Sequence, residues 1–82
     1  MDSSTDISSL RVTIMGLGLH GGGFASALFF AERGAELTVT DLRPEPILRP
    51  IINKLKKYNI KYILGEHRDE DFLWADLVIK NP

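Results

Sequence analysis

Gly16-Leu17-Gly18-Leu19-His20-Gly21 is the stretch whose reading decides the fold. The apolar run Leu10-Arg11-Val12-Thr13-Ile14-Met15 precedes it, and an apolar pattern at helical spacing follows over residues 24–33. Strand, glycine turn and helix in that order form a phosphate-binding corner. The first glycine permits the tight turn, the second lets backbone approach a pyrophosphate, and the third lets helix and strand pack closely. The helix start then offers unpaired N–H groups and a partial positive charge to an anion. Asp41 closes the next strand, 20 residues after Gly21. A tight turn that binds nothing is the competing reading of the same residues.

Working outward, residues 1–9 are polar and read as a disordered tail. Residues 10–15 read as a buried parallel strand. The first helix begins near Gly21 or Gly22 and runs to about Arg33. Phe24, Ala27, Leu28 and Ala31 fall at helical spacing and face the sheet as core. Gly22 and Gly23 are poor helix formers, so their value lies in close approach of the first turn to the sheet or to a ligand. Gly34 stands where a helix end takes a left-handed residue.

Residues 36–40 alternate as a second strand, with Asp41, Leu42 and Arg43 at its exit. Pro44, Pro46 and Pro50 argue against regular structure for several residues. A second helix is expected over residues 50–57, with Lys54, Lys56 and Lys57 solvated. Residues 60–64 form a third strand and residues 65–68 a loop. A short helix over residues 69–75 opens with Asp69, Glu70 and Asp71, which complement its N-terminal dipole. Residues 76–80 form the fourth strand.

The alternation β-α-β-α-β-α-β predicts an α/β fold, a Rossmann-like open parallel sheet of order 3-2-1-4. The first two helices then cover one face and only the short third helix the other. A substantial part of that second face is expected to be bare, with the fourth strand at an open edge. On this ground residues 10–82 are expected to be an incomplete domain and the chain a fragment.

The chain has 82 residues, 44% of them hydrophobic and 26% charged, with a net charge of −1. That balance gives no reason to expect nucleic-acid or membrane partners. With no cysteine, disulfides and thiolate metal sites are excluded. The start lacks the basic residues and apolar core of a signal peptide. No apolar run approaches the ~20 residues of a membrane span. The cytoplasm is the expected compartment.

The carboxyl ends of the strands bring Gly16 to Gly21, Asp41, Leu42 and Arg43, the loop from Gly65 to Arg68, and Asn81 to one crevice. No catalytic constellation, GxxxxGK[ST] loop or metal-ligand set stands among them. Asp41 is suited to accept from a ribose or a base N–H, or to be a solvated acid. Arg43 is suited to a base or a phosphate, or to the surface. His20 is read either as a pyrophosphate donor or as solvent-facing, and His67 as structural or exposed. Arg68 is either a surface residue or an anion contact. Asn81 is suited to orienting a linker or a ligand, and its place at the chain end leaves the choice open.

The run Val12-Thr13-Ile14-Met15-Gly16-Leu17-Gly18-Leu19-His20-Gly21-Gly22 closely resembles the start of the bacterial UDP-N-acetylmuramoyl-alanine:D-glutamate ligases, cytoplasmic Mur ligases of peptidoglycan synthesis. The resemblance continues through Thr38-Val39-Thr40-Asp41-Leu42-Arg43, through Leu64-Gly65-Glu66-His67-Arg68 and over residues 72–82. It implies the first of three domains, the one that holds the UDP part of a UDP-sugar-peptide substrate. The implied UDP-binding residues are Gly18, Leu19, His20 and Gly21 at the diphosphate, Asp41, Leu42 and Arg43 at the uracil, and Gly65 in the loop passing the base.

The family activates a carboxylate with ATP as an acyl phosphate, which the D-glutamate amine attacks to form an amide. ATP, magnesium and the glutamate site belong to the ATP-binding and C-terminal domains, so these 82 residues alone are expected to be inactive and to bind no cofactor. Two other readings compete. One is the NAD(P)-binding half of an oxidoreductase, on the strength of GxGxxG and Asp41. The other is a free-standing nucleotide sensor.

Overall fold

The computed structural model describes residues 6–18 and 22–81. In chain order it contains a 3-10 turn at Ile7–Ser9, strand β1 (Arg11–Met15), helix α1 (Gly22–Glu32), strand β2 (Glu36–Asp41), helix α2 (Glu45–Lys54), strand β3 (Ile60–Leu64), helix α3 (Asp69–Trp74) and strand β4 (Leu77–Lys80). The pairings among these four strands are parallel, and the strand order is β3-β2-β1-β4. This is the expected α/β architecture. Of the expected tail, residues 7–9 form the 3-10 turn, capped by the Asp6 side chain.

Alternation along the strands gives the sheet two unlike faces. Val12 and Ile14 of β1 pair with Leu37 and Val39 of β2, so these four stand on one face. Together with Ala27 of α1, Leu48 of α2 and the nearby Leu17 and Leu55, they make the buried core. Phe24, Leu28 and Ala31 join it, as their spacing predicts. The opposite face carries Thr13 and Thr38, both buried. There the Thr13 hydroxyl donates to the Asp71 carbonyl of α3 at 2.7 Å, which docks the short helix onto β1.

β4 pairs only with β1, and its Leu77 and Val78 are exposed. The expected open edge is therefore present.

α1 ends in a Schellman motif. The Gly34 N–H donates to Ala31 and the Ala35 N–H to Phe30, both at 3.1 Å. At the other end, a Cβ added to Gly23 would lie 2.2 Å from the Gly16 carbonyl oxygen and 2.3 Å from that of Leu17. No side chain fits there. Gly23 is the residue that lets the first helical turn press on the end of β1. Gly21 lies outside the described residues.

α2 departs from expectation. It starts at Glu45 rather than near Pro50, and Lys56 and Lys57 fall beyond its end. Pro44 takes the N-cap position and Pro46 lies in the first turn. The amides of a first helical turn have no partner within the helix, so proline loses little there and its fixed φ suits the start. The Glu45 carboxylate also accepts from Arg49 Nε at 3.0 Å, one turn on. Pro50 lies inside the helix, where it removes one backbone donor.

Two measurements check this account. Gly23→Ala is expected to cost about 3 kcal/mol or more in urea unfolding, because the added methyl meets backbone that cannot rotate away. Pro50→Ala is expected to raise stability by up to about 2 kcal/mol, restored helical bonding exceeding the added unfolded-state entropy.

Candidate functional site

The carboxyl ends of the strands are tied together by backbone. The Gly16 N–H donates to the Thr40 carbonyl at 2.7 Å, the Gly65 N–H to the Asp41 carbonyl at 2.8 Å, and the Asn81 N–H to the Met15 carbonyl at 2.9 Å. These bonds surround a cavity of about 260 Å³ lined by Met15, Gly16, Asp41, Leu42, Arg43, His67 and Asn81. A hollow of about 310 Å³ lies between Lys61, Glu70 and Trp74, and another of about 440 Å³ beside Gly34 and Tyr58. Both reach Glu36 and Leu37, where β2 begins. Open parallel sheets bind ligands beyond the strand carboxyl ends, so the first cavity is the candidate.

Asp41 is the most engaged residue of the site. It is only 2% exposed. One carboxylate oxygen accepts from the Arg43 amide at 2.9 Å and from Arg43 Nε at 3.1 Å. The other accepts from the Leu17 amide at 2.9 Å and from an Arg43 terminal nitrogen at 3.3 Å. Two bonds on each oxygen fill a carboxylate's accepting sites. Burial pushes the Asp41 carboxyl up, but the bonds from Arg43 and the Leu17 amide more than reverse it, leaving it below its usual range.

The other expected residues fall as follows. Leu42 stands exposed on the cavity wall, and Arg43 lines it half-buried. Gly65 opens the loop after β3, and a Cβ there would meet nothing within 4 Å. Gly18 lies beside the Asn81 side chain. Leu19, His20 and Gly21 lie outside the described residues. Arg68 is not in the cavity. Its guanidinium holds Asp71 at 2.8 and 2.9 Å across the start of α3. That bond keeps the Asp71 carboxyl low, against the opposing effect of burial.

Two cavity residues were brought to the crevice by the sequence reading without a firm ligand role. His67 was read as structural or exposed; its Nδ1 lies 2.8 Å from the Thr40 hydroxyl and its ring packs against Phe72. It also lines the cavity. Asn81 was placed at the end of the fourth strand with its role left open, and the parallel pairing of β4 with β1 sets it beside Gly16. The signal was the register: the residue after the fourth strand must neighbour the residue after the first. Among the described residues, no group of three His, Asp or Glu could hold a metal ion. No described helix is long and apolar enough to cross a membrane.

Asp41 and Asp71 both lie below their unfolded value, near 3.9. Their contribution to stability is therefore whole above that value and is lost as pH falls through the lower folded values. The Tm is expected to drop between about pH 5 and about pH 3. Asp41→Asn is expected to cost about 1–3 kcal/mol at neutral pH and to flatten part of that drop, as thermal unfolding across pH would show.

Comparison with known proteins agrees with this geometry. The family model for the Mur ligase MurD-like N-terminal domain matches residues 10–82. A UDP-N-acetylmuramoylalanine–D-glutamate ligase of Treponema pallidum is 61% identical over 72 residues, covering 87% of this chain and 14% of the relative. The protein of the same name from Roseiflexus is 47% identical over 93% of this chain and 16% of its own length. That from Borreliella burgdorferi strain ZS7 is also 47% identical, over 94% of this chain and 18% of its own. The chain thus spans less than a fifth of the length of these relatives. With the glycine turn, the 3-2-1-4 sheet and the matched residues in agreement, the chain belongs to the MurD-like N-terminal domain family of the Mur ligases.

Proposed function

We propose that this chain binds the UDP moiety of UDP-N-acetylmuramoyl-L-alanine, as part of a cytoplasmic ATP-dependent ligase that adds D-glutamate to that substrate in peptidoglycan synthesis. The observation that carries the reading is the crevice itself. Gly16, Leu42, Arg43 and Asn81, from the ends of three strands, line one cavity. The glycine turn, with Gly18 and the proposed Leu19, His20 and Gly21, takes the diphosphate through backbone amides. Leu42, Arg43 and Gly65 form the wall for the uracil. Asp41 belongs to that wall by holding Arg43 and the Leu17 amide in place.

Binding and orientation are the work of these residues. Holding the uridine end leaves the sugar-peptide carboxylate to project from the crevice. ATP with magnesium supplies the activation of that carboxylate as an acyl phosphate, and the D-glutamate amine displaces phosphate to form the amide. On this reading the ATP, magnesium and D-glutamate sites belong to other domains of the enzyme, as the family resemblance implies. The 82 residues alone are therefore expected to release no phosphate from ATP when D-glutamate is added.

An NAD(P)-binding role is disfavoured by one observation. A dinucleotide fold needs the acid after its second strand free to accept from ribose hydroxyls. Here four donors already occupy the Asp41 carboxylate. Titration followed by amide NMR shifts tests both readings. UDP is expected to shift Gly16, Leu42, Gly65 and Asn81 while NAD does not. Arg43→Ala is expected to weaken UDP roughly tenfold through loss of a charge-assisted contact. A preference for NAD would overturn the ligase reading.

A further inference from the structure

His67 makes the contacts described above with one ring nitrogen and leaves the other to the crevice. The loop that carries it is tied to the exit of β2. The Gly65 N–H donates to the Asp41 carbonyl, and an antiparallel bridge sets Glu66 beside Asp41. The next residue, His67, then meets Thr40, the residue before Asp41. Its Nδ1 lies 2.8 Å from the Thr40 hydroxyl, and Phe72 of α3 supports the ring at 6.2 Å between centroids. Thr40 is fully buried, and its carbonyl accepts from the Gly16 N–H. One threonine thus ties the glycine turn with its carbonyl and His67 with its hydroxyl. His67 lines the cavity that Leu42 and Arg43 wall. Its Nε2 has no partner among the described residues and is not enclosed.

The Thr40 hydroxyl decides which hydrogen the ring presents. Among the described residues His67 is its one partner. A neutral imidazole carries one N–H and one lone pair. A hydrogen on Nδ1 would donate to the Thr40 oxygen and strand the buried Thr40 O–H without an acceptor, which costs free energy. With the hydrogen on Nε2, the Thr40 O–H donates to Nδ1 and no buried donor is left over. The second form is favoured, and it offers the cavity an N–H donor. Asp41 cannot compete for that role, because the protein's own donors fill it. We propose that His67 is a specificity-determining residue of this crevice: its Nε2–H donates to the base carbonyl that uracil carries where cytosine carries an amino group. The amino group presents hydrogens to the same donor, so the site takes uracil in preference to cytosine. This rests on the UDP reading above and adds the residue that tells one pyrimidine from the other.

Dissociation constants for UDP and CDP, measured on the wild-type chain, His67→Asn and His67→Gln, test it, together with nitrogen NMR shifts that report the tautomer of the His67 ring. The wild type is expected to carry the hydrogen on Nε2 and to prefer UDP over CDP about tenfold or more. Asparagine reaches the Nδ1 position and keeps the Thr40 bond without a donor at Nε2. Glutamine reaches the Nε2 position and keeps the donor without the Thr40 bond. His67→Asn is therefore expected to weaken UDP roughly fivefold or more and to leave CDP within about twofold, while His67→Gln keeps most of the preference. A purely structural role gives the reverse order, with His67→Asn harmless and His67→Gln weakening both nucleotides alike. That order, or a hydrogen on Nδ1, overturns the proposal. Thermal unfolding reports whether each variant folds. Should either fail to fold, the wild-type preference and the ring tautomer decide. If the wild type binds UDP and CDP alike, the proposal fails while the UDP reading stands. If it binds neither, both fail.

Discussion

The structure depends most on the buried carboxylate of Asp41. Burying an unpartnered carboxylate costs several kcal/mol. Here the Leu17 amide, the Arg43 amide and the Arg43 guanidinium offset that cost together. The bonds span three parts of the chain that must meet for a crevice to exist: the glycine turn, the exit of β2 and, through the Asp41 carbonyl, the loop at Gly65. An isolated antiparallel bridge from Asp41 to Glu66 extends the same tie. One residue thereby sets the shape of the site while offering the site no free oxygen.

The two faces of the sheet show a second constraint. A chain this short buries little surface, and its apolar residues are spent almost wholly on the face under α1 and α2. The other face uses threonines, whose branched stems suit a strand and whose hydroxyls can meet a helix carbonyl. Thr13 does so with Asp71. Arg11 fastens the start of β4 in a related way, its amide donating to the Asp76 carboxylate at 2.9 Å. Local polar bonds, rather than a second apolar core, thus hold α3 and β4, and Leu73 is left 86% exposed.

Most of the fold was legible because its signals are local. The apolar run, the glycine turn and the helical stripe at Phe24, Ala27, Leu28 and Ala31 each follow from neighbours in sequence. The 3-2-1-4 order follows from chain handedness. The start of α2 was misread because Pro44 and Pro46 break a helix interior but suit a helix start, and sequence alone does not say which position they occupy. The site was harder to read. Asp41 was visible as an acid at a strand end, but the four donors that fill it come partly from a turn 24 residues away. Asn81 was placed at the crevice by strand order, but its contact with the turn glycines was not visible because it is set by pairing between the first strand and the last.

The same acid can thus serve two opposite recognition strategies on one fold. In a dinucleotide site the strand-end carboxylate is spent on the ligand, and the ribose is read directly. In this chain the protein's own donors hold it, and on the proposed reading discrimination comes from what it holds in place. On the proposed reading, Arg43 and the Leu42 wall read the base, and the glycine turn reads the phosphates. A carboxylate that touched the ligand would select for hydroxyl donors. One that organises a turn selects for shape and negative charge. The fold alone does not distinguish these cases, and the proposed reading rests on how the protein's own donors hold Asp41.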